Sequence, residues 1–506
     1  MSATLFRRVH VLDLDVEAGM TPVTDVLVED DRVVEVGPDA VSLAPAGCRS
    51  VDGLGHHLLA PGLVNAHFHS SANHMKGLLP SLPLELFMLY ESPEMPELAP
   101  TPREAYLRTV LAGLEMLRCG TTSVQDDAFF VPGPEPEVVG AVFEAYRDLG
   151  IRATVAIDQP ELPEADKLPF LAERVPPALR RRLEEPPAVG HARMLELNRW
   201  LLATWHGAEG GRLHAAVSVS APQRVSPEYF ADLEQLSCDH GVPLFAHMLE
   251  TKVQRVLADE QPRFAGRSLV RYTDDLGLLN ERTNVIHAVW VDDDDLRLIA
   301  ERGATIAHNP ISNLRLGSGV MPFARVRDHG IPVALGSDEA ITDDAVNLWA
   351  VAKAAGLVHN ITGDDPARWP SAREVLRCLW QGGARAMLRD GELGVVRPGA
   401  LADLVLLDLH SLAFTPFNDL PGQLVYCENG SSVRLTMVAG RVVVEDGRVT
   451  TVDEPGLLAE ARELFAERMP ALRAAAARAD RLAPHYRDMV RTAADRDVGF
   501  TRWVGH

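Results

Sequence analysis

The chain has 506 residues, 46% hydrophobic and 24% charged, a composition that can bury a large core and excludes a disordered or fibrous protein. Its formal charge of −22 and pI near 5.3 disfavour phosphate backbones and anionic lipid, which excludes nucleic acid as a partner. No run is apolar enough to span a bilayer, Arg7-Arg8 has no apolar stretch behind it, and Cys48, Cys119, Cys238, Cys378 and Cys427 form neither a disulfide framework nor a CxxC pair. A cytoplasmic protein with reduced thiols and no membrane partner is expected.

In chain order, Val9–Leu12, Asp25–Glu29 and Arg32–Val36 are short β-rich runs broken by Asp and Gly, and the same texture returns at Asp403–Leu407, Arg434–Ala439 and Arg441–Glu445. Meandering antiparallel strands are predicted, and residues 1–58 and 398–452 are expected to form one small β-sandwich, because chain ends are often close in space. Between them, short apolar strands alternate with helical stretches such as Arg103–Arg118. The predicted strands are Leu58–His67 with a break at Pro61-Gly62, Thr121–Gln125, Arg152–Ile157, His214–Val219, Pro243–His247, Thr283–His287, Ala304–His308 and Pro332–Gly336. This βα alternation over 59–397 predicts an α/β (β/α)₈ TIM-like barrel, with a doubly wound open sheet as the alternative. Residues 453–506, rich in Ala, Leu, Arg and Glu, predict a helical extension that packs on the barrel or on a second subunit.

Catalytic groups of a parallel barrel stand at the C-terminal ends of its strands. There the sequence places His67 and His69, Gln125 and Asp126, Asp158, His247 and Glu250, His287, His308, and Asp338. His67 and His69, at i and i+2, point to one side of an extended backbone and can share a metal. A lone HxH is weak, but a further His at the fifth strand and an Asp at the eighth are hard to explain by packing, since buried polar side chains each need a partner. One divalent metal would satisfy them, zinc first and iron as a substitute.

The runs Pro61–His69, Ala246–Glu250, Ile286-His287, His308–Gly319 (HNPISNLRLGSG) and Leu335–Asp338 resemble the amidohydrolase superfamily, in its mononuclear branch of cytosine, guanine and S-adenosylhomocysteine deaminases and s-triazine hydrolases. The resemblance implies His67, His69, His247 and Asp338 as metal ligands, Glu250 as the proton-shuttling acid and His287 as the residue that orients water. It also implies the split sandwich and a homodimer. Binuclear relatives use a lysine after strand four, and none lies in Leu213–Ala221, so a single metal is expected.

The activity implied is hydrolytic deamination of a small nitrogen heterocycle, or an amidine or guanidine compound, with release of ammonia. The same machinery acting on an alkylamine, a halide or a cyclic amide is the alternative, and a non-catalytic relative is a third reading. His308, Gln125 and Gln223 are candidate substrate contacts, and His74–Met88 is a candidate pocket wall. Ser220 stands where nucleoside deaminases carry a histidine, which argues against adenosine-like substrates. Glu339, in place of a common glycine, adds a carboxylate suited to an amine-bearing substrate.

Overall fold

The dipeptide Pro61-Gly62 marks the passage between two kinds of sheet. In the computed structural model, which describes residues 2–93 and 95–505, strand Arg49–Pro61 ends on the proline and a separate strand, Leu63–His69, begins after the glycine. The break expected at Pro61-Gly62 within Leu58–His67 therefore divides two strands. A Cβ on residue 62 would stand 2.1 Å from Thr122 Oγ1, so only glycine passes this close to the neighbouring strand.

Both chain ends build one mixed sheet of eight strands. Its spatial order is Arg448–Val449, Arg441–Glu445, Val433–Val438, Leu404–Asp408, Arg49–Pro61, Ala3–Val11, Thr24–Glu29 and Arg32–Val36. The antiparallel expectation fails at one pair, because Ala3–Val11 runs parallel to Arg49–Pro61. On its other side Arg49–Pro61 pairs antiparallel with Leu404–Asp408. Beyond the edge strand Arg32–Val36, Val33 N donates to Ala400 O (2.9 Å) and Ala402 N to Asp31 O (2.7 Å). The sheet thus curls back over a core that includes Phe6, Val26, Leu59, Leu404 and Met437.

The central segment is TIM-barrel-like α/β. One parallel sheet holds Asp338–Glu339, Leu63–His69, Thr121–Phe129, Arg152–Asp158 and Leu213–Ala215; the other holds Val333–Leu335, Thr305–His308, Thr283–His287, Leu244–Met248 and Val217-Ser218. Only Ala216 separates Leu213–Ala215 from Val217-Ser218, and only Gly336-Ser337 separates Val333–Leu335 from Asp338–Glu339. Helices pack outside: Pro102–Arg118 starts on a capping box of Thr101 and Glu104, and Pro136–Leu149 stops at Gly150, whose φ is +83°. Arg152, at the base of its strand, makes a two-armed ion pair with Asp403 (2.7 and 3.0 Å) that ties the parallel sheet to the mixed one.

Helices Glu454–Ala479 and Ala483–Ala494 pack on their own chain. Arg103 Nε bonds Glu460 (2.7 Å), Tyr486 OH bonds Glu164 (3.1 Å), and Lys252 Nζ donates to Ala494 O (2.6 Å). No described helix is long and apolar enough to cross a membrane.

Candidate metal centre and active site

Strand alternation carries His67 and His69 to the same side of Leu63–His69, and both are buried. Their Nε2 atoms lie 3.5 and 3.6 Å from Asp338 Oδ1, and His247 Nε2 lies 3.3 Å from His69 Nε2. The sequence-predicted ligands thus converge from the first, fifth and eighth strands. His67 Nε2 has no hydrogen-bond partner, although it is buried. Three imidazoles and one carboxylate with an orphaned nitrogen suit a divalent cation, which fits the donor set here.

Each donor is aimed by a second group. His69 Nδ1 hydrogen-bonds to Asp127 O and His247 Nδ1 to Ser220 O (2.7 Å), leaving both Nε2 atoms to face the centre. Asp338 Oδ2 accepts from Ser312 Oγ (2.7 Å), and its Oδ1 accepts from Glu339 N (2.8 Å). Burial pushes the Asp338 carboxyl up, but the close approach of the His67 imidazole, with His287 and His69 beside it, outweighs this and holds it well below the usual range. Asp338 is an anion poised to accept.

Glu250 and His287 stand beside this group. His287 Nε2 is 3.4 Å from Glu250 Oε2 and 3.8 Å from Asp338 Oδ2, while its Nδ1 meets Asn313 Oδ1 at 3.0 Å. Burial lowers His287 to about 4, keeping the imidazole neutral. Burial, followed by the nearby Asp338 charge, raises Glu250 well above the carboxylate range, so it holds a proton.

The centre opens into a cavity of about 500 Å³. Helix Leu84–Glu91, within or next to the stretch expected as a pocket wall, contributes Glu85, Phe87, Met88 and Glu91. Glu339 is buried rather than solvated, and lies against Glu91, whose carboxyl burial pushes up to about 7. Gln223 lines the cavity with an unpartnered Oε1. Gln125 is spent elsewhere: its Nε2 donates to Ala386 O (2.7 Å) and its Oε1 accepts from Asn284 (3.3 Å). His308 pairs with His359 across 3.1 Å, and neither it nor Gln125 is among the cavity walls. Asp126 is held by Ser70 N and Tyr146 OH, whereas Asp158 faces the cavity.

Several contributors had no sequence role assigned. Asn313 and Ser312 orient His287 and Asp338, and both lie in the quoted HNPISN run, where two amides and a hydroxyl directly after a strand were an available signal. The wall supplied by Ala475, Ala479 and Tyr486 of the last two helices and by Leu482 of the turn between them had no such signal.

The amidohydrolase family model matches residues 58–443, which include His67, His69, His247, Glu250, His287 and Asp338. The chain belongs to the amidohydrolase family. This amidohydrolase is 30% identical over 468 residues to a 5'-deoxyadenosine deaminase of Methanosarcina mazei, covering 92% of this chain and 98% of that protein. It is 34% identical over 439 residues to a 5-methylthioadenosine/S-adenosylhomocysteine deaminase of Nitratidesulfovibrio vulgaris, covering 86% and 91%. Among solved structures, a zinc-bound adenosine deaminase from Xanthomonas campestris superposes with a TM-score of 0.79 at 25% identity, covering 93% of this chain and 99% of that one. Atrazine chlorohydrolase from Arthrobacter aurescens TC1, complexed with zinc, gives 0.81 at 25% identity, covering 91% and 100%.

Proposed function

We propose that this amidohydrolase hydrolytically deaminates a small amino-substituted nitrogen heterocycle, releasing ammonia, with His67, His69, His247 and Asp338 holding one zinc ion. The observation that carries the reading is the geometry: buried Glu250 sets its Oε2 3.4 Å from His287 Nε2 at the edge of the four-donor cluster. A divalent cation in that cluster would act as a Lewis acid on water, lowering its pKa toward about 7.

The chain's own residues supply the proton traffic. Asp338 Oδ2 accepts the proton of the attacking water, and His287 Nε2 holds that water on the face of the ring. Glu250 donates its proton to the ring nitrogen beside the attacked carbon, which draws electron density away from that carbon. Glu250 then takes the hydroxyl proton of the intermediate and passes it to the departing amine as the carbonyl forms, the ring nitrogen keeps the first proton, and the proton held by Asp338 returns to Glu250. The apolar walls from Phe87 and Leu482 exclude bulk water.

Adenine-type compounds head the substrate class, in keeping with the relatives' names. Ser220 brings no imidazole to the ring: its carbonyl serves His247 and its Oγ accepts from Arg224 (3.1 Å). Gln223 and Arg224 stand on the wall in its stead. Cavity-facing oxygens of Glu91, Asp158, Gln159, Gln223 and Glu339 have no donor, so a substrate rich in N–H and O–H groups satisfies the wall.

The same reading assigns 59–397 to a closed (β/α)₈ catalytic barrel, 1–58 with 398–452 to a composite β-sandwich, and 453–506 to a helical extension, in a cytoplasmic enzyme. Ammonia release from the zinc-loaded protein, measured over 5'-deoxyadenosine, 5-methylthioadenosine, adenosine, guanine, pterins and amino-triazines, tests it. Release from at least one is expected. Product without ammonia would transfer the machinery to another leaving group, and no product from any would sink the proposal.

A further inference from the structure

A second cluster of metal-ligating side chains lies on the mixed sheet and is absent from the cavity wall. His56 and His57 are consecutive in strand Arg49–Pro61, and consecutive residues of a regular strand face opposite ways. Here the strand is interrupted. Against Ala3–Val11, Arg7 pairs with Asp52 and Val9 with His57, so Gly53–His56 form a bulge, with Leu54 at φ +54° and Gly55 at φ +76°.

The bulge brings both imidazoles to one carboxylate. His56 Nε2 is 3.8 Å and His57 Nε2 3.9 Å from the same oxygen, Asp408 Oδ1. Asp408 is the direct cross-strand partner of His57, and its Oδ1 is fixed by His410 N at 2.8 Å. These separations are too long for hydrogen bonds. They match the 3.5, 3.6 and 3.8 Å spacings among His67, His69, His287 and Asp338. Donors about 2.1 Å from one tetrahedral cation stand roughly 3.4 Å apart, slightly inside what is seen.

One further feature favours a ligand: the His410 ring stacks on His56 at 3.8 Å with planes 3° apart, holding that imidazole in place. Arg434, whose charge reaches this cluster, is already paired with Asp446 at 3.0 Å. The side chains of His56, His57 and Asp408 are 23%, 11% and 26% exposed, so an ion can enter from solvent.

We propose that His56, His57 and Asp408 form a second divalent-metal site for zinc or a similar borderline cation, its remaining position open to water. It would clip a strand from the first part of the chain to one from the last, a structural site separate from the reaction centre.

The test is metal stoichiometry on the full-length chain. Protein stripped with chelator, reloaded with zinc and desalted should hold about two ions per chain by elemental analysis, as His₂Asp donors retain zinc through desalting. The double variant His56→Gln/Asp408→Asn should hold about one, and His247→Ala should also hold about one, through loss of the other site. Reconstitution with cobalt gives a second reading on the same proteins: a visible absorption component present in wild type and in His247→Ala and missing from His56→Gln/Asp408→Asn. One zinc in wild type, or an unchanged count and cobalt spectrum in His56→Gln/Asp408→Asn, overturns the site. Turnover is not needed for either measurement, so the result stands apart from the proposed reaction.

Discussion

Replacing Glu250 with Gln isolates the proton from everything else that side chain does. The amide keeps the length and volume, and the carboxyl it replaces is already neutral in the fold, because burial and the Asp338 charge raise it well above the carboxylate range. Little desolvation energy therefore changes, and folding stability should move by less than about 1 kcal/mol. The donor cluster, set by contacts among His67, His69, His247 and Asp338, does not include Glu250, so metal content should be unchanged. What is lost is proton delivery to the ring and to the leaving amine. General acid–base assistance contributes about 10²–10⁴-fold, equivalent to roughly 3–5.5 kcal/mol of barrier. Ammonia release by Glu250→Gln should fall by that factor in kcat, with substrate affinity altered far less. A variant with intact metal that keeps more than about a tenth of the wild-type kcat would refute the assignment of Glu250 as the proton carrier.

Other outcomes follow from the same geometry. Asn313→Ala removes the shorter of the two contacts to His287 Nδ1, leaving Asn309 Nδ2 at 3.4 Å, and should lower kcat by about 10–100-fold at unchanged metal content; an unaffected rate would mean that the ring needs no such support. Asp403→Ala strips a buried, two-armed partner from Arg152 and should cost about 3–5 kcal/mol in denaturant unfolding, whereas a loss under about 1 kcal/mol would contradict the role of this pair as a tie between sheets. His359, buried against His308, is lowered to about 4 by burial, below an unfolded value near 6.5. A depressed His is neutral in the fold and takes up a proton on unfolding, so its contribution is complete above about pH 6.5 and erodes as pH falls toward 4. The melting advantage of wild type over His359→Gln should therefore shrink across that window, and an advantage that grows on acidification would rule the account out.

The donors were legible in the sequence because chemistry restricts them to a few residue types and the barrel restricts them to strand ends. His67, His69, His247, Asp338, Glu250 and His287 were each expected at strand ends by type and place, and the structure brings all six together. Gln125 and His308 met the same two conditions and still went elsewhere, the first to Ala386 O and Asn284, the second to His359. Their partners come from distant segments, and no local pattern encodes which of two polar neighbours a strand-end side chain will choose. The parallel pairing of Ala3–Val11 with Arg49–Pro61 was hidden for a related reason: alternation reports which face is buried, not which way the neighbour runs. The break at Gly62 was legible in the Pro-Gly signal, but the close approach that demands glycine there comes from the side chain of Thr122, far along the chain.

What aims the site is backbone conformation that residue identity does not announce. Ser220 (φ +59°), Leu249 (+54°), His287 (+74°), Ala288 (+49°) and Asp338 (+59°) all occupy the left-handed region, and all sit where a strand gives way to a loop at the centre. Such residues cost of order 1–3 kcal/mol each and persist only where the surroundings over-determine them. At Ser220 the unusual φ accompanies a carbonyl turned to His247 Nδ1, and at Asp338 a carboxylate that accepts from its own neighbour's N–H. The support is visible around them: Asn65 Nδ2 donates to Ser337 Oγ (2.8 Å) and Ser337 N to Asn65 Oδ1 (3.0 Å), locking the first strand to the residue before Asp338. The strain is thus stored in the loops and held by the strands. For this reason the same six side chains on a relaxed backbone would give the composition of the site without its convergence.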